Sequence, residues 1–311
     1  RYIGVTGVQT CALPICQHLG HPGAFFGQKA AVLLVAAPVF QVDLLVRDVH
    51  VAAQDEFPLH LGAHEVWVDA KHTHAGEQLQ AAIGYGHFPK QEKIAADRVH
   101  IFAPMQLKGK TGVQKLKQQG ENYQYVSKQP VSEGSYLLLA TYQPTFWSEN
   151  AAGWKQQSLL QMPDAKYCEQ SAMYGKHVLN VGHGVTDNEV ITRPVGQMLE
   201  IVPLKNPQDI QVGERFPIKI LFKGEPVSGV NVVATFAGFT ERPEHDHSHA
   251  LEAQAFSHQT NAQGELDIIP LREGYWKAKV SYKTDYPKQT ECQKLALYST
   301  LTFHIGSEHA M

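Results

Sequence analysis

QMLEIVPLKNPQDIQVGERFPIKILFKGEPVSGVNVVATF, residues 197–236, alternates short β-branched runs with polar turns, and TNAQGELDIIPLREGYWKAKVSY continues the pattern at 260–282. The order is strand, polar turn, strand, Gly-containing turn, strand, and the final run carries an aromatic pair. KGEPVSG, TNAQGE and LREGY put Gly, Pro and Asn where the chain must reverse tightly, because these residues reach positive φ or pre-set the bend. Alternation of polarity at period two is the signature of a half-buried strand.

Working outward, the same signature recurs upstream in EQLQAAIGYG, DRVHIFAPMQL, GSYLLLATYQPTFW and HVLNVG, and downstream in YSTLTFHIG. Only KTGVQKLKQQG, at 110–120, looks helical. The expectation is an all-β protein of two β-sandwich domains divided near Arg193–Gln197. The N-terminal β domain spans 63–195. The C-terminal one, 196–306, is immunoglobulin-like or prealbumin-like, and 307–311 form a tail.

Residues 1–62 are set aside as an artefactual or leader segment. RYIGVTGVQTCALPIC at 1–16 lacks an initiator Met and resembles a translated sequencing-adapter scar. AAVLLVAAPVF is too short to span a bilayer and, behind Lys29, reads as a signal-peptide h-region or as part of a frame-damaged leader. Two of the four cysteines, Cys11 and Cys16, fall in the scar. Cys168 and Cys292 remain, and in an exported chain such a pair predicts a disulfide between the two halves, the alternative being two separate thiols.

A net charge of -3 without a clustered basic surface argues against nucleic acid or an anionic membrane as partner. The compositional outlier is histidine, with 17 copies. PEHDHSHALEAQAFSH, 243–258, sets His245, His247 and His249 at alternate positions among carboxylates. Alternate side chains of a flat strand stand roughly 6.5–7 Å apart, whereas nitrogens sharing an ion lie roughly 3 Å from each other, so these imidazoles can converge only on a curved loop. Pro243, Asp246 and Ser248 favour such a loop, and His258 lies near its return.

Upstream, Gly62 and Ala63 are small residues of the kind left at a signal-peptidase cut, which would make His64 a mature N-terminus. Its amine and imidazole would then chelate one ion, a donor pair suited to nickel, copper and cobalt. His72 and His74 in KHTHAGE and His87 in GYGHFPK complete the candidate ligand set. His183 reads as a turn residue and His100 as a satisfied strand histidine. HEVWV starts like H-E-x-x-H but has Val68 where the second His belongs, and nucleophile-elbow, P-loop and dinucleotide motifs are missing, so a non-enzyme is expected.

AHEVWVDAKHTHAGEQLQAAIGYGHFPK, YQPTFWSENAAGWK and VGERFPIKILFKGEPVSGVNVVATF together resemble a family of periplasmic nickel-uptake and cobalt/nickel ABC-type transport components built on a domain of unknown function. The resemblance runs from about Ala63 to Gly306. It rests on Ala63–His64 with Trp67 soon after, the Gly86–His87 turn, and the G-x-P-V-x-G turn at 224–229. It implies a soluble periplasmic protein that binds nickel or cobalt, with copper or zinc as further ions, beside a membrane metal-uptake transporter. Two other readings compete: an adhesive or structural sandwich with incidental histidines, and a copper oxidase built on an N-terminal histidine chelate, which needs a second His facing His64.

Overall fold

The computed structural model describes residues 64–182, 187–239 and 254–306, all within one unit, Glu56–Met311. In chain order, β1 (Glu65–Ala70), β2 (Gln80–Gly86), β3 (Gln106–Gly109), β4 (Gly112–Lys115), β5 (Lys117–Gln118) and β6 (Gln124–Val126) come first. Two long strands follow, β7 (Gly134–Asn150) and β9 (Tyr167–Val181), with the short β8 (Gly153–Lys155) between them and the helix α1 (Asn188–Thr192) after them. The rest are β10 (Leu199–Pro203), β11 (Phe216–Phe222), β12 (Glu225–Pro226), β13 (Asn231–Phe236), β14 (Phe256–Gln259), β15 (Glu265–Ile268), β16 (Gly274–Asp285) and β17 (Lys294–Ile305).

These strands form an all-β sandwich around a nine-stranded sheet of order β14-β13-β16-β17-β9-β7-β3-β4, with β8 on β7. The pairs along this order are antiparallel except β17 with β9, which run parallel. Strands from both sides of Arg193–Gln197 therefore share one sheet, joined through that parallel pair. The disulfide Cys168–Cys292 closes beside it, 124 residues apart in sequence, as the cysteine count predicts. A loop of that length restrains the unfolded chain by roughly 4–5 kcal/mol in the chain-entropy model.

Period-two alternation gives the large sheet two different faces. Trp276, Ala278 and Val280 of β16 and Leu297, Leu301 and Phe303 of β17 point to one side, onto Leu199, Ile201, Phe216, Ile218 and Ile220 of the small sheet β10-β11-β12, which also carries β15. This is the sandwich read from residues 197–236. A buried ion pair crosses it: Lys176 Nζ reaches Glu200 Oε1 at 2.6 Å and the Ile201 carbonyl at 2.8 Å, with both charged groups fully buried. Glu200 also accepts from the backbone of Val195 and Gly196, which ties down the connection into β10.

The opposite face of the large sheet is covered by a third layer, β1-β2-β6-β5. Val66, Val68 and Ile83 pack there on Leu138, Ala140, Tyr142, Met173 and Leu179. β1 pairs with β2 along one edge and turns its other edge onto the large sheet. Thr300 Oγ1 donates to the Val66 carbonyl at 2.6 Å, and Thr302 Oγ1 and Tyr275 Oη donate to the Val68 carbonyl at 2.5 and 2.8 Å. The approach is close because Gly175 lies beneath: a Cβ there would sit 3.1 Å from the Trp67 carbonyl carbon.

Three local expectations change. KTGVQKLKQQG is not helical but forms β4 and β5, because its pairing partners in β3 and β6 outweigh a weak helical pattern. DRVHIFAPMQL is a strand only from Gln106; Val99–Ile101 form a 3-10 turn, and His100 is an exposed residue of that turn rather than a strand histidine. YCEQSAMYGK, unmarked as strand by its sequence, makes the first two-thirds of β9.

Trp67, fully buried, lies flat over Gly84, where a Cβ would come within 1.9 Å of its ring. Gly84→Ala must displace the indole and is expected to cost about 1–3 kcal/mol, the usual range for overpacking a filled core. Urea unfolding of the variant against the parent protein measures it, and a midpoint shift corresponding to under about 0.5 kcal/mol would contradict this packing.

Candidate metal centre

The β1–β2 register pairs Glu65 with Gly86, which brings the next residues outward, His64 and His87, side by side. Their ring centroids are 5.9 Å apart and nearly perpendicular. With metal–nitrogen bonds of about 2.0–2.1 Å, two imidazoles sharing an ion have centroids roughly 4.5–6.4 Å apart, and the separation of this pair lies within that range. Gly86 supplies the bend that turns His87 toward His64, with φ of 140°.

Behind the pair stands an aromatic platform. Tyr85 meets His64 at 5.1 Å and stacks on Tyr142 at 6.1 Å. Arg98 donates to the Tyr85 hydroxyl at 3.0 Å and lies over the Trp147 ring, whose Nε1 donates to Tyr142 Oη at 3.0 Å. Burial, with Tyr85 nearby, pushes the Tyr142 phenol up to about 12, so it stays protonated at any physiological pH.

β7 needs an irregularity to build this. Tyr142 pairs with Met173 but Thr145 with Ser171, so β7 carries one extra residue. The bulge reverses the alternation, and Tyr142 and Trp147, five apart and on opposite faces of a regular strand, come to share a face.

His72 and His74 also meet, with centroids 4.7 Å apart, on the exposed turn after β1. They are a separate pair: β1, about 20 Å long at roughly 3.3 Å per residue, lies between them and His64. His245, His247 and His249 lie outside the described residues, as does His183. Among the described residues no three His, Cys, Asp or Glu side chains converge on one point where an ion could sit. Two imidazoles at His64 and His87 would thus need a third donor of another kind.

Next to His64 the side chains are charged and buried. Glu65 forms an ion pair with Lys277, and its second oxygen lies 3.1 Å from Lys279 Nζ. Burial raises the carboxyl, but the two ammonium groups outweigh it and hold it at about 2. Further along β1, Asp69 accepts from Gln91 Nε2 at 2.7 Å. There the large sheet presents His177, Tyr275 and His304, with Tyr275 stacked on His304 at 5.1 Å. His177 Nδ1 lies 3.0 Å from Thr302 Oγ1, and among the described residues its buried Nε2 has no hydrogen-bond partner. The sequence does not point to this grouping, since its members come from four distant strands and, apart from Glu65 in HEVWV, the charged and aromatic residues named here lie in no catalytic or metal motif.

The family model described as a domain of unknown function, DUF4198, matches residues 61–284. The chain belongs to this family. No curated protein matches the DUF4198 chain. Among solved structures it is similar to the D00-D0 domain of intimin at 9% identity, covering 78% of this chain and 100% of that one with a TM-score of 0.18. It is also similar to the three N-terminal domains of the bacteriophage RB49 outer capsid protein Hoc, at 7% identity, 78% and 59% coverage and a TM-score of 0.18. A third, DIP-gamma IG1+IG2, is 11% identical over 79% of this chain and 100% of that one, with a TM-score of 0.16. At these scores none of the three carries a functional argument. No helix among the described residues is long and apolar enough to cross a membrane, and the disulfide is compatible with export.

His177 gives this site region a pH dependence. Burial, with His304 beside it, lowers its imidazole from 6.5 to about 3, so the ring stays neutral when folded. Between those values the unfolded chain binds a proton that the folded chain refuses, and stability falls with falling pH by up to about 1.4 kcal/mol per unit. His177→Leu is expected to flatten the stability profile between about pH 6.5 and 5, above the range where Glu65 titrates. Chemical denaturation across that range measures it, and an unchanged slope would remove His177 as the source.

Proposed function

We propose that this DUF4198 protein is an exported, non-enzymatic carrier of a nitrogen-preferring divalent cation. Nickel or cobalt is the favoured ion, with copper or zinc as weaker candidates. The ligands are the imidazoles of His64 and His87 together with the backbone amine of His64, freed by cleavage after Ala63. The periplasm is the compartment, and a membrane metal-uptake transporter is the recipient.

The observation that carries this reading is the His64–His87 pairing at a centroid distance suited to one shared ion. The amine explains how a site with only two imidazoles becomes tight: with the His64 imidazole it forms a chelate, and three nitrogens then converge on one ion. Tyr85 packs against the His64 ring and is itself held by Arg98, so one side of the centre is organised before the ion arrives. His72 and His74, and the segment of sequence carrying His245, His247 and His249, would gather ions loosely and feed this centre.

Calorimetric titration of nickel, cobalt, copper and zinc into protein beginning at His64 tests the proposal. The same protein with an added N-terminal Met should bind at least about tenfold more weakly, a loss of roughly 1.4 kcal/mol, and His87→Ala should do likewise. Affinity should also fall as imidazole takes up protons in the acidic range. Equal affinity in all three proteins would remove the centre and favour a structural or adhesive role with incidental histidines.

A further inference from the structure

The bulge in β7 does more than align Tyr142 with Trp147. It lifts Gln143 and Pro144 out of the ladder, and at that point a cleft of about 350 Å³ opens between β7, the turn at His100 and the segment after β8. The volume lies within the range of small-ligand sites, roughly 300–1,000 Å³. Its walls carry three carboxamides, Gln143, Gln156 and Gln161, with His100 beside them and Phe146 as the one aromatic ring. Among the described residues, its lining holds no Asp, Glu, Lys or Arg.

The amides are held in place. Gln143 Nε2 donates to the Ile101 carbonyl at 3.1 Å, which leaves its oxygen as an acceptor. Gln161 Oε1 accepts from the backbone N–H and the hydroxyl of Ser158 at 3.0 and 3.3 Å, which leaves its amino group as a donor. Gln156 Nε2 lies 3.2 Å from His100 Nε2. Phe146 is braced by Tyr286, edge to face at 5.5 Å.

We infer that this cleft binds a short neutral oligosaccharide. Among the described residues a cationic ligand would meet no carboxylate in it, and an anionic one no Lys or Arg. An apolar ligand would strand three carboxamides away from water, each at a cost of about 1–3 kcal/mol. Sugar hydroxyls donate and accept alike, which suits a mixture of fixed amide acceptors and donors, while the C–H face of a pyranose packs on a braced ring such as Phe146. A peptide adding a strand needs a row of free backbone donors, and Pro144 in the lining has no N–H to offer. This site is independent of the metal centre: its lining shares no residue with it.

Saturation-transfer NMR followed by calorimetry on the full chain tests the assignment. The probes are maltose, maltotriose, cellobiose, N,N'-diacetylchitobiose, a trimer of galacturonate as the charged control and a capped tetrapeptide as the peptide control. At least one neutral sugar should bind with a Kd of about 1 mM or tighter. Gln143→Ala and Phe146→Ala should each weaken it at least fivefold, Phe146→Tyr should retain it, and His87→Ala should leave it unchanged. Gln156→Ala alters an exposed side chain and serves as the variant least able to disturb folding; it too should weaken binding while keeping the parent unfolding midpoint. The assignment is overturned if no neutral sugar binds, if the galacturonate trimer or the peptide binds as well or better, or if the variants bind like the parent.

Discussion

A strand at the rim of a sheet leaves alternate carbonyls without partners, and β1 meets that requirement by standing its free edge on the hydroxyls of a second sheet. Val66 and Val68 would otherwise hold two buried acceptors unsatisfied, at a cost comparable to a lost hydrogen bond each. Thr300, Thr302 and Tyr275 supply the donors, and Gly175 removes the side chain that would keep the strand at a distance. Glu65 adds a charged clamp onto Lys277 and Lys279. Because β1 is pinned along both edges, the position of its first flanking residue, His64, is set by the fold rather than by a loop.

The same constraint explains why polar residues are buried on a face that the sequence marks as exposed. In YWKAKVSY the alternation assigns Trp276, Ala278 and Val280 to a core and Tyr275, Lys277 and Lys279 to water. The apolar set does lie in the core, but the polar set is not left in water, for the third layer covers Lys277 and brings Glu65 to it. Alternation reports two chemically different faces without saying what lies over each. The all-β sandwich was therefore legible from residues 197–236, as was the disulfide from the count of usable cysteines. The stacking of β1-β2-β6-β5 on the far side was not, since it depends on hydroxyl-to-carbonyl contacts between residues more than 200 positions apart.

The candidate site was legible in part for a similar reason. His64 and His87 stand out as residue types and by their Gly and Ala neighbours, but their adjacency follows from the β1–β2 register, which a single sequence does not encode locally. His72 and His74 are neighbours by sequence alone, and the structure keeps them so. Tyr85, Arg98 and Trp147 carry no motif. They become a platform only because β7 inserts one residue between Tyr142 and Thr145, and the visible trace of this in sequence is the Gln143–Pro144 step inside an otherwise regular run.

The bulge also separates two chemistries along one strand. On one side of β7 it gathers Tyr142 and Trp147 behind Tyr85, an aromatic and cationic support that backs the His64 ring. Around Gln143 it opens a neutral amide-lined cleft with Phe146 at its wall. A regular β7 would place Trp147 on the face opposite Tyr142 and close the ladder where Gln143 and Pro144 now stand clear of it. Both features thus arise from one inserted residue, and neither interferes with the sandwich core, because the strand regains its pairing with β9 at Thr145 and the apolar face beyond β9 and β17 is untouched.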